Sequence, residues 1–381
     1  MTTITNDTLT GYIVPIDRTL DVLERLAYLA RWQGEYECER ACLQGRARTL
    51  GTHYIDQQKA TQIAQLGHRI RMMRVRKPLV ILPRAQATEE EAKAEMMATR
   101  ANLARQFAGL SKEQRLLWLN NFVFVMTPDL LALLTRIGSV RGYEAIGQQR
   151  NFLISGPSGI GKTSFLDWYM SHNPPIVHEE WTEVPVIKVD ASQSKQTIRP
   201  LLRRMVLEYG ISYLKGDGEE ELRDKLIGYA ERCGTTLAII DEVENIDHET
   251  IKKRFVDLSN GLRRIPIICA SVNPRTFTDG SPALAGRWKD SFDLQPYEGA
   301  RLAHLLSFLS LLLPFPTASC LTHKEVVARV GGWTGGTLKQ IMYLVHDAAT
   351  RAVETDQPCL SAEMLERAWT RMQAGSGSRA A

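Results

Sequence analysis

Apolar and polar positions change period twice along this chain. From Asn151 to about Leu294, short apolar runs alternate with amphipathic stretches, the runs covering 151–155, 185–189, 236–241, 265–271 and 291–294. Runs this short, bounded by Gly, Pro, Asn or Asp, read as strands. Strands that alternate with helices imply a parallel sheet covered by helices on both faces. On either side of this segment the pattern is helical. Asp17 caps a predicted helix through about Gln44, with Leu20, Leu23, Leu26, Leu29 and Ala30 near helical spacing, and a second helix runs from Ile55 to Met73. Pro78 to Pro83 reads as a short strand or extended linker, and Glu89 to Phe107 as a charged helix. Ser111 and Gln114 form a capping box that opens a helix to about Asn121. Thr127-Pro128-Asp129 opens another, with proline at its first position. After Pro296, a helix from Glu298 to Leu313 stops at Pro314, and another follows Thr322. The glycines from Gly331 to Gly336 break the chain before a helix from Thr337 to Val353. Ser361 caps a last helix to about Met372, and the tail from Ala374 to Ala381 is small, polar and predicted to be disordered.

One strand ending carries recognisable chemistry. The run Asn151-Phe152-Leu153-Ile154 leads into Gly156-Pro157-Ser158-Gly159-Ile160-Gly161-Lys162-Thr163, and a helix-like stretch starting at Ser164 follows. This is the P-loop pattern G-x-x-x-x-G-K-[ST] in its strand–loop–helix context, and it predicts nucleoside triphosphate binding. Glycines let backbone N–H groups curl around phosphate oxygens, and the helix N-terminus adds partial positive charge. Lys162 would reach the β- and γ-phosphates, and the Thr163 hydroxyl would ligate Mg²⁺. The run Thr235 to Ile240 then ends in Asp241-Glu242, a Walker B pattern. Asp241 would hold Mg²⁺ through water, and Glu242 would orient or deprotonate the attacking water.

Composition narrows the class. A chain of 381 residues holds two or three domains and a large core. The six cysteines, Cys38, Cys42, Cys233, Cys269, Cys320 and Cys359, form no CxxC pair, so neither a disulfide framework nor a zinc ribbon is indicated. Cys38, Cys42 and His53 make a zinc site the lesser reading there. Reduced thiols and no signal-peptide pattern point to a cytoplasmic protein. The most apolar stretch, Leu305 to Phe315, is too short for a membrane span. A net charge of +4 permits nucleic-acid contact without requiring it. The basic run Arg69, Arg71, Arg74, Arg76, Lys77 reads equally as a solvated helix end or a phosphate-contacting patch.

A P-loop α/β domain followed by a small helical domain resembles the AAA+ ATPases. Asn273, past the strand from Ile265 to Ser271, stands where those proteins place a sensor-1 residue; a turn residue ahead of Pro274 is the alternative. Arg287 resembles their trans-acting arginine finger, with Arg263, Arg264 and Arg275 as alternatives, and Lys339 stands where a sensor-2 residue would be. Within that class, residues 120–372 resemble the transposition regulators TnsC and TniB. Three segments carry this likeness. They are the P-loop followed by Ser164-Phe165-Leu166, Leu294-Gln295-Pro296-Tyr297 with the long helix ending Leu311-Leu312-Leu313-Pro314-Phe315, and the run from Gly331 to Ile341. Val243-Glu244-Asn245 departs from the aromatic and histidine that often follow the family's Walker B pair.

The resemblance implies an α/β P-loop AAA+ core at 126–296, a C-terminal helical lid at 297–372, a mostly helical N-terminal extension at 1–125 and a disordered tail at 373–381. It implies an ATPase using ATP and Mg²⁺ that assembles as a ring or helical filament on double-stranded DNA. Such proteins link a TniQ-like target selector, alone or within an RNA-guided complex, to a DDE-type transposase, and hydrolysis resets the assembly. In them the region after the second strand faces DNA, which here would be Lys195, Thr197, Arg199 and Arg203, with Lys215 adding a contact from its loop. Lys195 and Arg199 would share a helix face and touch successive phosphates, which positions without reading sequence; a solvated helix face is the alternative. Lys252, Lys253 and Arg254 read as mostly surface. A helicase loader of the replication-initiation type and a nucleotide-switched signalling scaffold without a DNA role are the competing functions.

Overall fold

The computed structural model describes residues 89–141, 151–178, 181–191, 197–210 and 216–377. The predicted helices at 17–44 and 55–73, the basic run at 69–77, the 78–83 segment, Cys38, Cys42, Lys195 and Lys215 lie outside these residues. Two compact units divide the described chain: an α/β unit, 132–295, and a helical unit, 89–131 with 296–377.

Helices α1 (Glu89–Ala108), α2 (Lys112–Phe122) and the start of α3 (Pro128–Arg141) belong to the helical unit. The capping box is formed in both directions, with the Ser111 hydroxyl accepting from Gln114 N–H and the Gln114 side chain accepting from Ser111 N–H. Five strands of the α/β unit make the main sheet: β1 (Phe152–Ser155), β4 (Val186–Asp190), β5 (Leu237–Asp241), β6 (Ile267–Ala270) and β7 (Asp290–Asp293). Their order is β4–β5–β6–β1–β7 and every pairing is parallel. Strands β1, β5 and β6 are interior and buried throughout, which is why they read as continuous apolar runs. Edge strands β4 and β7 admit Lys188, Asp190, Asp290 and Asp293, charges that discourage further strand pairing. Because β1 lies between β6 and β7, the chain must leap from β1 to the far edge. The loop after β1 therefore opens at a switch point, where α/β sheets bind ligands.

Around this sheet lie α4 (Lys162–Ser171), α5 (Arg199–Leu207), α6 (Glu219–Arg232), α7 (Glu249–Gly261), α8 (Pro274–Thr278) and α9 (Pro282–Arg287). A two-stranded antiparallel ribbon, β2 (Ile176–Val177) with β3 (Thr182–Glu183), was not foreseen; two residues per strand are too few to show a period. Phe255, Phe277 and Trp288 interlock at ring separations of 5.3 to 5.5 Å and tie α7 to α8 and to the end of α9. Lys252 departs from its expected surface role. It is 5% exposed, and its amine donates to Thr276 O at 2.7 Å and Asp279 O at 2.6 Å. A buried amine must find acceptors, and the C-terminal carbonyls of α8 supply them.

The rest of the helical unit comprises α10 (Gly299–Leu312), α11 (Lys324–Thr334), α12 (Leu338–Glu354) and α13 (Ala362–Gly377). Trp118 is fully buried, donates its indole N–H to Leu312 O at 2.8 Å and meets Phe107 edge-on. The glycine break falls later than the sequence suggests. Gly331 and Gly332 remain inside α11, because burial of Val330 and Thr334 outweighs their low helix propensity. Only Gly335 (φ 54°) and Gly336 (φ 69°) leave the helix. A Cβ on Gly336 would lie 2.4 Å from Tyr297 O, and Tyr297 N–H donates to Gly336 O at 2.9 Å. The final helix also runs to Gly377, into the segment expected to be disordered, extending from its buried anchors Leu365 and Ala368. Among the described residues, no helix is long and apolar enough to cross a membrane.

Candidate nucleotide-binding site

The loop between β1 and α4 is built by its glycines. Gly156 (φ 144°), Gly159 (φ 77°) and Gly161 (φ 107°) hold conformations that side chains rarely adopt. A Cβ on Gly156 would sit 2.5 Å from Leu294 O, so the chain after β7 packs directly on the loop. Leu294 N–H also donates to Ser155 O at 2.9 Å. Gly161 is the N-cap of α4, and no side chain caps it. The first backbone N–H groups of that helix are thus left for another acceptor.

Lys162 opens α4 and is 7% exposed. Its amine donates to Gly156 O at 2.6 Å and Pro157 O at 3.2 Å. Burial lowers its pKa, while Glu244 and Asp241 oppose the shift. The Thr163 hydroxyl donates to Asp241 Oδ2 at 2.7 Å. Asp241, at the end of β5 and 3% exposed, also accepts Glu242 N–H on Oδ1 at 3.0 Å. Burial raises the Asp241 pKa, opposed first by Lys188 and then by Thr163 and the Glu242 N–H. Glu242 turns the chain with φ 57° and ψ 40°, a left-handed conformation costly for a residue with a Cβ. Its carboxyl pKa is raised, by partial burial first and then by Asp190, Asp241 and Glu244. A carboxylate held in a left-handed turn and crowded by three others is the type of arrangement that functional sites maintain.

The structure thus brings Lys162, Thr163, Asp241 and Glu242 together at the glycine loop, with Ser158, Ile160 and Ser164 on the loop and first turn. Asn273 lies past the end of β6, the neighbour of β1, as N-cap of α8; its Oδ1 accepts Arg275 N–H at 3.2 Å. Arg287, at the end of α9, donates to Asn260 Oδ1 at 2.7 Å and Ala283 O at 3.1 Å. Lys339 is in the helical unit, its amine 5.8 Å from the Tyr343 ring. Of the expected DNA contacts, Thr197 donates to Glu219, while Arg199 and Arg203 are half-buried on α5. Helix α5 begins at Arg199, and Arg204 turns inward to donate to Asp190 O.

Two participants escaped the motif reading. Lys188 of β4 donates to Asp167 Oδ1 at 2.7 Å, and its amine lies 3.8 Å from Asp241 Oδ2. The sequence marks the two positions, a lone lysine inside Val186-Ile187-Lys188-Val189 and Asp167 one helical turn beyond Thr163, but carries no signal that pairs them.

The loop geometry, the Walker pair and the strand order agree on one fold, and residues 145–273 match the family model described as an AAA domain. The α/β unit has the AAA+ fold. Among solved structures, the chain is similar to the Aeropyrum pernix ORC2 protein in ADPNP–ADP complexes, at 14% identity over 65% of this chain and 69% of that one, with a TM-score of 0.47. It is similar to Aeropyrum pernix ORC1 in complex with DNA, at 14% identity over 64% of each chain and a TM-score of 0.47. A structure concerned with katanin self-assembly matches at 16% identity over 64% of this chain and 77% of that one, with a TM-score of 0.39. Among curated proteins, none matches the chain in sequence.

Proposed function

We propose that the α/β unit binds and hydrolyses ATP with Mg²⁺, and that this cycle gates assembly of the protein on double-stranded DNA as a regulator of transposition. The observation that carries the ATPase reading is the Thr163–Asp241 contact at 2.7 Å beneath a three-glycine loop. One hydroxyl and one carboxylate suit Mg²⁺, which takes few protein ligands and fills its shell with phosphate oxygens and water. Among the described residues, no group of three or more His, Cys, Asp or Glu side chains could cage a metal alone. When bound with ATP, Mg²⁺ would supply charge neutralisation at the phosphates.

The chain's own groups do the rest. Backbone N–H groups of Gly159 to Thr163 cradle the phosphates. Lys162 exchanges the carbonyls of Gly156 and Pro157 for phosphate oxygens. Thr163 and Asp241 fix the metal, and Glu242 holds the attacking water and takes its proton. Asn273, at the neighbouring strand end, senses the γ-phosphate. Arg287 acts in trans from an adjacent subunit after leaving Asn260, which makes hydrolysis depend on assembly.

The transposition reading is supported by the resemblance of residues 120–372 to TnsC and TniB. Two of the segments that carry it meet in the helical unit, where Tyr297 N–H bonds Gly336 O at 2.9 Å. The DNA role assigned to Lys195, Thr197, Arg199, Arg203 and Lys215, and the TniQ-like and transposase partners, rest on the same resemblance. The test is anisotropy of labelled random-sequence duplex DNA titrated with the full chain in ATP, in ADP and without nucleotide at fixed salt. Cooperative, sequence-indifferent binding in ATP alone is expected, weakening steeply with salt. Binding that ignores nucleotide, or none, would remove the DNA role.

A further inference from the structure

A lysine on a strand packed under helices is costly unless its charge is met. Lys188 is 14% exposed, and its register partner on β5 is Ile239, so it projects from the same face of the sheet as Asp241, two residues on. Helix α4 covers that face, and Thr163 and Asp167 are one turn apart upon it. The amine is therefore wedged between Asp167 at 2.7 Å and Asp241 Oδ2 at 3.8 Å. Only the first contact is a hydrogen bond; on Asp241 the lysine acts through its charge. It acts on the same oxygen that accepts the Thr163 hydroxyl. The neighbouring carboxylate, Asp190, is paired with Arg204 at 3.8 Å.

We infer that Lys188 and Asp167 form a positioning pair that sets the Mg²⁺ requirement of the nucleotide site. Lys188 is a fixed cation competing with Mg²⁺ for Asp241, and Asp167 moderates the competition by holding the amine to one side. This inference rests on the ATP–Mg²⁺ reading above. Neither residue touches the reacting groups; both act through Asp241.

Because the effect is one of net charge, the two single variants must move in opposite directions. Lys188→Met keeps the length of the side chain and removes a positive charge, so half-saturating Mg²⁺ for binding of mant-labelled ADP should fall on the order of tenfold. Asp167→Asn frees the amine toward Asp241, so half-saturating Mg²⁺ should rise by a similar factor. The double variant restores the charge balance and should return to within about twofold of the parent. Thermal unfolding with Mg²⁺ alone gives a second readout: the Lys188→Met midpoint should rise with added Mg²⁺ by more than the parent's, and that of Asp167→Asn by less. If both single variants shift the same way, or the double variant is the worst of the three, the pair is merely structural and the inference is overturned. If the unaltered protein shows no Mg²⁺-dependent nucleotide binding, the nucleotide-site reading fails and the inference falls with it.

Discussion

Lys162 in the glycine loop and Lys252 in α7 are buried alike, at 7% and 5% exposure, and each donates to two backbone carbonyls. Their surroundings separate them. The acceptors of Lys162 lie five and six residues back in its own loop, and carboxylates of Asp241 and Glu244 act on its charge. The acceptors of Lys252 belong to α8 and the turn after it, beside the ring cluster of Phe255, Phe277 and Trp288. A cation bonded within its own loop can change partners without separating two elements of the fold. A cation that spans two elements cannot. Burial of a lysine therefore says little about its task until its acceptors are placed in the chain.

The largest effect should come from breaking the first region. Lys162→Ala should weaken nucleotide binding at least 100-fold, about 2.8 kcal/mol, while the unfolding midpoint moves little, because the exposed Pro157 leaves that end of the loop open to water. Titration calorimetry and thermal unfolding on the same sample would check both halves. Normal affinity would contradict the P-loop assignment.

The second region should answer in the reverse sense. Lys252→Met leaves two carbonyls without a donor in a packed site, a loss of about 2 kcal/mol in stability. Nucleotide affinity, measured below the unfolding transition, should stay within about twofold of the parent. A variant that unfolds normally but loses nucleotide would mean that the α7–α8 joint serves the site rather than the fold.

The same contrast explains what the sequence could disclose. Glycines, lysine and threonine at fixed spacing dictate a loop geometry by themselves, so Gly156 to Thr163 and Asp241-Glu242 were readable. The interior strands were readable too, because burial on both faces leaves only apolar runs. Lys188, Lys252 and Arg204 were not. Each is a charged residue whose role depends on a partner 14 to 53 positions away, at Asp190 for Arg204, Thr276 and Asp279 for Lys252, and Asp241 for Lys188. Pairing across elements has no local period, and a run such as Lys252-Lys253-Arg254 looks uniformly solvated until the fold buries one member. The break at Gly331 failed for a related reason, since tertiary packing held the glycines in α11.

The smallest predicted effect concerns the charge crowding around Glu242. The folded-state pKa of Glu242 is raised, by partial burial and by Asp190, Asp241 and Glu244. A carboxyl that holds its proton more tightly folded than unfolded costs stability once ionised. That cost is complete above the folded pKa and disappears as pH falls below the unfolded value of about 4.3. Glu242→Gln removes the charge while keeping the shape and the left-handed turn. It should stabilise the fold at neutral pH by a few tenths of a kcal/mol, since Glu242 is exposed and water screens the repulsion. Urea unfolding of the two proteins should differ at pH 7 and converge near pH 4. A gap that persists in acid would assign the gain to packing rather than charge. A destabilised variant would mean that Glu242 is held by contacts its neighbours do not show, and the view of this region as one that keeps unfavourable charge for its chemistry would fail.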